Sequence, residues 1–478
     1  MDFREMMQNQ QAAMNGLNPE EYNEKIEKAR KKIPGITVVS PMYGDMTITD
    51  RMVSSVTYQF ISNQNPFKIH LVLVDDYIEK RGENDESYYE YYTSEEFAKR
   101  YDTDKVKITI IKNKEHKYQG QSREIGFLAG DYEYFLLLDC DDMLAPNACD
   151  RYINMLRQNE LKPKEERKKI ACIYGYLYGF DTNGYEQKII GESIWVQSRC
   201  YSKSFCKEND IHFPTGTNSR QGEDYPFIRM FDYALQHSQE KWAALKLEYN
   251  EGKDCQCTAY WFPNENSLSR KDPHYGQHLS GWTMNSSNMI LDFFGKYNKE
   301  HGFEDQEDEF MKHEYLNMNI YAFYNILDFL KEVASTDYEP LEEDWYAIRD
   351  AVDKLRQRLK DKYYNEIVYS DIEDILYQVH HMSDVRFVES WIGTFYDWMK
   401  ERSSILDLDY NQMRDYCRTL EFDQAGHEIH APYVKAWEAR HADQIAEYKR
   451  QMEEAQKAEE ESKKKNPRPT KPKYKKKK

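Results

Sequence analysis

The chain has 478 residues, of which 40% are hydrophobic and 14% aromatic, so it is long enough for two domains with substantial cores. The formal net charge of −18 argues against a protein that coats nucleic acid along its whole length. The eight cysteines lack zinc-site spacing, the first residues are polar, and no run of about 18 apolar residues occurs, which together predict a reduced, cytoplasmic protein without a membrane span.

The first part of the chain predicts an α/β domain. Residues 1–32 form a polar N-terminal extension in which Pro19–Lys32 is typical of an exposed helix. Short apolar strands and amphipathic helices then alternate over residues 33–280, a pattern that favours a mostly parallel sheet covered on both faces. The predicted strands are Ile36–Ser40, Ile69–Val74, Val106–Ile111, Tyr134–Leu138, Ile170–Tyr178 and Gln187–Gln197, and the predicted helices are Thr47–Asn63, Gln121–Gly130 and one after Ala145.

The second part of the chain predicts a separate all-α domain over residues 281–445. Its predicted helices are Met289–Lys296, Glu309–Ser335, Leu341–Tyr364, Ser370–His380 and Val385–Ser403. Residues 446–478 hold the end of a charged helix, Ala431–Lys464, and a disordered Pro/Lys-rich tail. We expect the helical domain to serve acceptor binding or self-association.

The tail is strongly basic although the chain as a whole is acidic. Lys463 to Lys478 contains ten Lys or Arg and no Asp or Glu, which leaves −18 − 10 = −28 for the rest of the chain. Such a segment attracts phosphate backbones through counterion release, so contact with nucleic acid is one interpretation. A solvated tail, or a tether to another acidic partner, is the alternative interpretation.

Polar and acidic residues follow three of the predicted strands. Pro41–Gly44 follows the first strand, Asp75 and Asp76 follow the second, and Asp139–Asp142 follows the fourth. Ligands of open parallel sheets bind outside the carboxyl ends of the strands, so these residues predict one site. The three carboxylates of Asp139–Asp142 repel one another unless a cation neutralises them, and hard cations such as Mn²⁺ or Mg²⁺ prefer oxygen ligands.

Several segments together resemble family 2 glycosyltransferases, which have the GT-A fold. In chain order these segments are Val38–Tyr43, Leu73–Asp76, Gly120–Gly130, Tyr134–Asp142, Gly222–Tyr225 and Ser267–Arg270. The resemblance covers about half of the chain and implies that residues 33–280 are a GT-A glycosyltransferase domain. It also implies a nucleotide-sugar donor, a uridine diphosphate sugar by analogy, and a divalent cation.

The resemblance assigns expected roles to individual residues on the donor side. It implies that Pro41 and Tyr43 lie against the nucleotide base, and that Asp75 or Asp76 recognises the uracil ring or the ribose. Three further residues complete the expected donor and metal contacts: Arg123 near the base and diphosphate, Asp139 at the ribose and metal, and Asp141 as the metal ligand.

On the acceptor side, the resemblance implies that Glu223 and Asp224 are the acidic pair, with Asp224 as the general base. An acidic helix N-terminus is the alternative interpretation, and both can hold at once. His274 is a candidate third metal ligand, with a surface-loop histidine as the alternative. Two departures from the family stand out: Glu124 replaces the usual Asn after the arginine, and a long Tyr-rich stretch follows Asp76.

These features predict an inverting, metal-dependent glycosyltransferase. The acceptor stays open between a hydroxymethylated base in DNA, which the basic tail would favour, and a saccharide or a protein. A GT-A-like protein that binds or assembles without catalysis is the alternative from a different class.

Overall fold

The computed structural model describes residues 18–43, 46–63, 65–76, 94–100, 104–180, 187–189, 196–215, 223–247, 257–262 and 275–303, with scattered positions from 342 onward. The chain divides into two compact units, one of residues 1–314 with 341–355 and one of residues 315–340 with 356–478. Nearly all described residues belong to the first unit. The helices predicted from Glu309 to Ser403, apart from a few positions, and the basic tail lie outside the described residues.

The first unit is built on a seven-stranded mixed sheet, which confirms the predicted α/β class. Its strands are β1 Gly35–Met42, β2 Lys68–Asp75, β3 Val106–Lys112, β4 Tyr134–Leu137, β6 Lys169–Tyr174, β9 Arg199–Ser202 and β10 Trp242–Lys246. They lie in the order β10-β6-β9-β4-β1-β2-β3. The parallel registers pair Ile36 with Ile69 and Val39 with Leu137. β1 is buried along its whole length, as its nearly continuous apolar sequence requires of a strand covered on both faces.

A second sheet of four short strands accompanies the first. Its strands are β5 Met143–Leu144, β7 Leu177–Phe180, β8 Gln187–Ile189 and β11 Ala259–Trp261, in the order β5-β11-β7-β8. The prediction of one strand over Ile170–Tyr178 is therefore wrong, because β6 and β7 belong to different sheets. β6 ends before Gly175. The Gly175 N–H donates to Ser198 O at 2.6 Å, and a Cβ at this position would lie 2.2 Å from the Tyr152 hydroxyl.

The strand predicted over Gln187–Gln197 also differs from the structure. Within the described part of this range, Gln187–Ile189 is a strand and Val196–Ser198 forms a single 3₁₀ turn. The turn leads into β9, which the sequence analysis missed. β9 pairs antiparallel with both β4 and β6, so the main sheet is mostly parallel with one reversed strand inside it.

The described helices are α1 Pro19–Lys32, α2 Met46–Thr57, α3 Glu95–Arg100, α4 Tyr118–Ala129, α5 Ala148–Leu161, α6 Lys203–Glu208, α7 Asp224–His237 and α8 Tyr275–His301. The prediction for α1 is confirmed, and Asn18 and Glu21 form a capping box at its start. α2 ends at Thr57, before the predicted Asn63. Beyond it, Gln59 bonds to Ala145 O at 2.7 Å and to Cys149 N at 3.0 Å, which draws the chain away from the helix axis.

The last described helix of this unit, α8, packs on α7. The rings of Tyr233 and Phe294 stack at 3.9 Å, and the Tyr233 hydroxyl donates to Asn298 Oδ1 at 2.6 Å. α8 runs through the predicted boundary between residues 280 and 281, and the predicted domain limits themselves stay a prediction. Within the described part of the chain, no helix is both long and apolar enough to cross a membrane.

Candidate functional site

The site residues lie at one edge of the main sheet because of strand direction. β1, β2, β3 and β4 are parallel, so their carboxyl ends meet at the same edge. β9 runs the opposite way, and this places Gln197, two residues before its start, beside the end of β4. The sequence analysis did not identify Gln197, since its contribution depends on the unpredicted reversed strand.

Asp139 is held by three donors from two segments, helix α4 and the turn before β9. Arg123 Nη2 lies 2.5 Å from its Oδ1, Gln119 Nε2 lies 3.2 Å from the same atom, and Gln197 Nε2 lies 2.6 Å from Oδ2. The Asp139 side chain is still 21% exposed. A carboxylate fixed in this way is oriented before a ligand arrives. The predicted role of Asp139 at the ribose and metal stays a prediction.

Arg123 lies among the acidic residues of the site. Its side chain is fully buried, and its Nη1 atom donates to both Glu223 Oε1 and Asp224 Oδ1. With Asp139 on Nη2, one guanidinium thus bonds to three carboxylates. Burial alone lowers the pKa of Arg123, but the three acids together raise it above its ordinary value. In this structure the Nη atoms of Arg123 therefore engage three acidic residues, and its place near the base and diphosphate stays a prediction.

Glu223 and Asp224 stand at the start of α7, as the interpretation of an acidic helix N-terminus predicted, and their role as the catalytic acidic pair stays a prediction. Glu223 is 4% exposed, and the side chain of Asp224 is 26% exposed, so only the second acid presents substantial surface to a ligand. Burial raises the pKa of Asp224 well above its ordinary value; Arg123 opposes the increase, while Glu223 and Asp139 add to it. A carboxylate with a raised pKa is suited to accept a proton near neutral pH.

Asp76 is engaged by the loop before α4. Its Oδ1 accepts from Asn113 Nδ2 at 2.8 Å and Lys117 N at 2.8 Å, and its Oδ2 accepts from Tyr118 N at 2.7 Å. Tyr118 has a φ of 58°, which the bond to Asp76 helps to hold. Asp76 is 4% exposed and Asp75 is 7% exposed, so both predicted nucleoside-binding acids are buried at the end of β2.

The rings of Tyr43, His116 and Tyr118 cluster near Asp76, and His116 Nδ1 lies 3.5 Å from Asp76 Oδ2. Tyr43 is 46% exposed after the end of β1, and its ring centroid is 5.8 Å from that of His116. His116 in turn stacks on Tyr118 with centroids 5.9 Å apart. Pro41 is buried within β1. An exposed tyrosine with further rings beside it can stack on a planar base. The sequence analysis identified Tyr43 but not His116 or Tyr118.

The segment after β4 carries the remaining acids. Asp142 is 1% exposed; its Oδ1 accepts from Phe262 N at 3.2 Å, and its buried Oδ2 has no hydrogen-bond partner among the described residues. Burial, followed by the charges of Asp141 and Asp139, raises the pKa of Asp142 well above its ordinary value. The backbone carbonyl of Asp141 accepts from Arg51, whose guanidinium lies 4.2 Å from the centroid of the Phe262 ring.

The donor set of this segment fits a hard divalent cation. It offers only carboxylate oxygens, because burial raises the pKa of the neighbouring Cys140 to about 12 and keeps its thiol protonated. Within the described residues, no group of three or more His, Cys, Asp or Glu could hold a metal ion. A cation here would take one or two carboxylates and complete its shell from phosphate oxygens and water, as Mg²⁺ often does. The third candidate ligand, His274, lies outside the described residues.

Comparisons with known proteins find a distant relative that is described as a glycosyltransferase. No protein-family model matches the chain. Among curated proteins, it is similar to an uncharacterised glycosyltransferase of Haemophilus influenzae, with 23% identity over 124 residues, which make up 26% of this chain and 35% of the relative. The matching region thus spans about a third of that relative's length. This similarity agrees with the resemblance to glycosyltransferases seen in the motifs.

Two solved structures are also distantly similar to the chain. S. aureus TarS 1–349 in complex with UDP-GlcNAc has a TM-score of 0.44 and 12% identity, and the match covers 77% of this chain and 90% of that one. The mannosyltransferase PcManGT from Pyrobaculum calidifontis, in complex with GDP-Man and Mn²⁺, has a TM-score of 0.34 and 10% identity, with coverage of 84% and 92%.

Proposed function

We propose that this protein is a glycosyltransferase that moves a sugar from a nucleoside-diphosphate sugar to an acceptor hydroxyl, with inversion at the anomeric carbon. The observation that carries the proposal is the bonding of one guanidinium, that of Arg123, to Asp139 and to Asp224. It links an acid at the end of β4, where donors bind to open α/β sheets, with a partly exposed acid suited to act as a base. The curated relative supports the same activity class.

The donor side of the proposal uses residues at the ends of β1, β2 and β4. The exposed ring of Tyr43 stacks on the base, and Asp139 accepts hydrogen bonds from the ribose, in an orientation that Gln119 and Gln197 fix. Asp141 and Asp139 would hold the divalent cation, with His274 as the third candidate. When bound, the cation supplies Lewis acidity that stabilises charge on the departing diphosphate. We propose Mn²⁺ or Mg²⁺ and a uridine diphosphate sugar.

The acceptor side uses Asp224. The acceptor hydroxyl loses its proton to the Asp224 carboxylate as its oxygen forms a bond to the anomeric carbon. The bond from that carbon to the diphosphate oxygen breaks, and its electron pair leaves with the nucleoside diphosphate. One base and one direct displacement give inversion. Arg123 holds the Asp224 side chain in place during the step.

The described residues do not distinguish between the possible acceptors. A hydroxymethylated base in DNA remains a prediction that rests on the tail from Lys463 to Lys478, outside the described residues. A saccharide or a protein hydroxyl fits the same chemistry. Deleting residues 466–478 tests the DNA prediction: loss of DNA affinity, with a smaller salt dependence, supports it, and unchanged affinity contradicts it.

The experiment that tests the function measures free nucleoside diphosphate released from a panel of nucleotide sugars. Wild type, Asp141→Ala and Asp224→Asn are compared with Mn²⁺ and with EDTA, in the presence and absence of hydroxymethylated duplex DNA. We expect release that requires the metal and Asp141, and that Asp224→Asn reduces by about 10²- to 10⁴-fold. If wild type neither binds nor cleaves any donor, the protein is a non-catalytic binding protein with this fold. Stimulation by the DNA would identify the acceptor class.

A further inference from the structure

Glu124, in α4, forms hydrogen bonds with the segment that precedes Glu223 and Asp224. Its Oε1 lies 2.8 Å from His212 Nδ1, and its Oε2 accepts the main-chain N–H of Phe213 at 3.0 Å. The Glu124 side chain is 11% exposed. Both carboxylate oxygens are therefore used on a single segment, residues 212–213. Glu124 is also the position at which this chain departs from the Asn of the family it resembles.

The segment that Glu124 holds is packed directly on α7. The ring of Phe213 is parallel to that of Phe227, with an angle of 3° between the planes and 4.0 Å between the centroids. Both rings are buried, at 1% and 0% exposure. Phe227 lies in the first turn of α7, the turn that begins with Asp224. A closely packed ring pair transmits displacement, because a buried core has no empty space into which the rings could move.

Adjacent residues of α4 thus act on the same end of α7 in two ways. Arg123 bonds to the carboxylates of Glu223 and Asp224 directly. Glu124 acts on the backbone of that helix, through Phe213 and Phe227. An Asn at position 124 would have one methylene fewer and would reach the Phe213 N–H only if the segment moved toward α4.

We propose that Glu124 is a positioning residue that sets the place of Asp224 by holding Phe213 against Phe227. This inference rests on the proposed function, in which Asp224 is the base. His212 helps to fix Glu124, because its Nδ1 is the second hydrogen-bond partner of the Glu124 carboxylate. His212 Nε2 also lies 3.1 Å from Asp210 Oδ1, and Lys296 of α8 contacts Asp210, so both ends of the imidazole are fixed by acids. The hydrogen bond to Glu124 raises the pKa of His212.

The test compares Glu124→Ala with a conservative variant and a matched control, all in the full chain. Glu124→Gln keeps one oxygen for the Phe213 N–H. Glu133→Ala is the control, because Glu133 also anchors a segment, accepting from Ser202 Oγ at 2.6 Å and Ser204 N at 3.0 Å. The neighbouring Tyr201, whose ring contacts Phe227, is held separately by the pairing of β9 with β4 and β6. We measure the rate of nucleotide release at saturating donor, the affinity for UDP, and thermal stability.

For Glu124→Ala we expect release to slow by about 10- to 100-fold with unchanged UDP affinity, because only the placement of the base is altered. Glu124→Gln should keep most of the wild-type rate. Glu133→Ala should lose comparable thermal stability and keep the wild-type rate. A Glu124→Ala variant with the wild-type rate, or a Glu133→Ala variant slowed to the same degree, overturns the proposal.

A second measurement keeps the inference separate from the proposed function. Amide hydrogen exchange from Phe227 into the second turn of α7, where the N–H groups have intrahelical acceptors, should accelerate in Glu124→Ala and stay unchanged in Glu133→Ala. If wild type cleaves no donor while this exchange difference appears, the proposed function fails and the structural link between Glu124 and α7 holds. Equal exchange in the two variants overturns the link, whatever the activity.

Discussion

Asp139 and Asp224 bond to different Nη atoms of the same guanidinium, that of Arg123. Neither carboxylate can change its rotamer without leaving a buried charge less well compensated. The arginine is fully buried, so its three acidic partners are what make its burial tolerable. This relationship connects the donor side of the site to its proposed base, and it leads to the first two predictions.

Arg123→Met should lower the free energy of unfolding by about 3–5 kcal/mol, because it leaves the buried carboxylates without their cation. Urea denaturation measures the change. Arg167→Met is the control, since Arg167 forms a partly exposed ion pair with Glu160 at 3.3 Å, and loss of such a pair should cost less than about 1 kcal/mol. Equal losses in the two variants would show that burial of the Arg123 network contributes nothing special.

Glu223→Gln should move the acidic limb of the pH–rate profile to lower pH. The charge of Glu223 raises the pKa of Asp224, so its removal lowers that pKa. A base with a lower pKa is deprotonated, and therefore active, at lower pH. Nucleotide release at saturating donor, followed across pH, measures the limb. A limb that moves to higher pH would indicate that Asp224 is not the group that titrates.

Gly126→Ala should destabilise the fold by about 1–3 kcal/mol and reduce activity, because overpacking moves α4 away from the sheet together with Arg123. The added Cβ would lie 2.3 Å from Val39 Cγ1, a branched side chain buried in β1. Gly295→Ala in α8 is the control, since a Cβ there meets nothing within 4 Å. That variant should gain about 0.5–1 kcal/mol from helix propensity. Thermal denaturation of both variants checks the pair.

Tyr43→Ala and Asp76→Asn should separate ligand contact from loop structure. Tyr43 is exposed, so its loss should weaken UDP binding by about 1–3 kcal/mol through lost stacking and leave stability unchanged. Asp76→Asn removes an acceptor from buried backbone donors and should cost about 1–3 kcal/mol of stability. Calorimetry with UDP and urea denaturation measure the two effects. Unchanged UDP affinity in Tyr43→Ala would contradict the stacking role.

The sequence was sufficient for the elements whose signals are local. β1, β2, β3 and β4 are short apolar runs that end in polar residues, and their parallel order brings Tyr43, Asp76 and Asp139 to one edge, as predicted. The capping box of α1 is equally local. These parts of the fold and of the candidate site follow from periodicity and from the rule that ligands bind at strand ends.

The rest depends on contacts between distant residues. β9 starts with Arg199, which is buried. Its charge is paired with Asp232 of α7 at 2.7 Å, and no local pattern in the sequence predicts this pairing. The partners of Arg123 and the donors to Asp76 likewise come from elsewhere in the chain. The sequence therefore predicted which acids follow the strand ends, whereas only the fold shows which groups surround Arg123. The place of Arg123 near the diphosphate stays a prediction.

The reversed strand also constrains how the sheet is completed during synthesis. β6 and β10 connect to the four leading strands only through β9, so the edge of β4 stays unpaired until Arg199–Ser202 has left the ribosome. Arg199 then gains its ion pair only after Asp232, which lies further along the chain, has been synthesised. An open strand edge is a template for pairing with other chains. Nascent copies that pause after β4 and before α7 are thus the ones most exposed to aggregation. Chaperone contact during translation should concentrate on the synthesis of this interval.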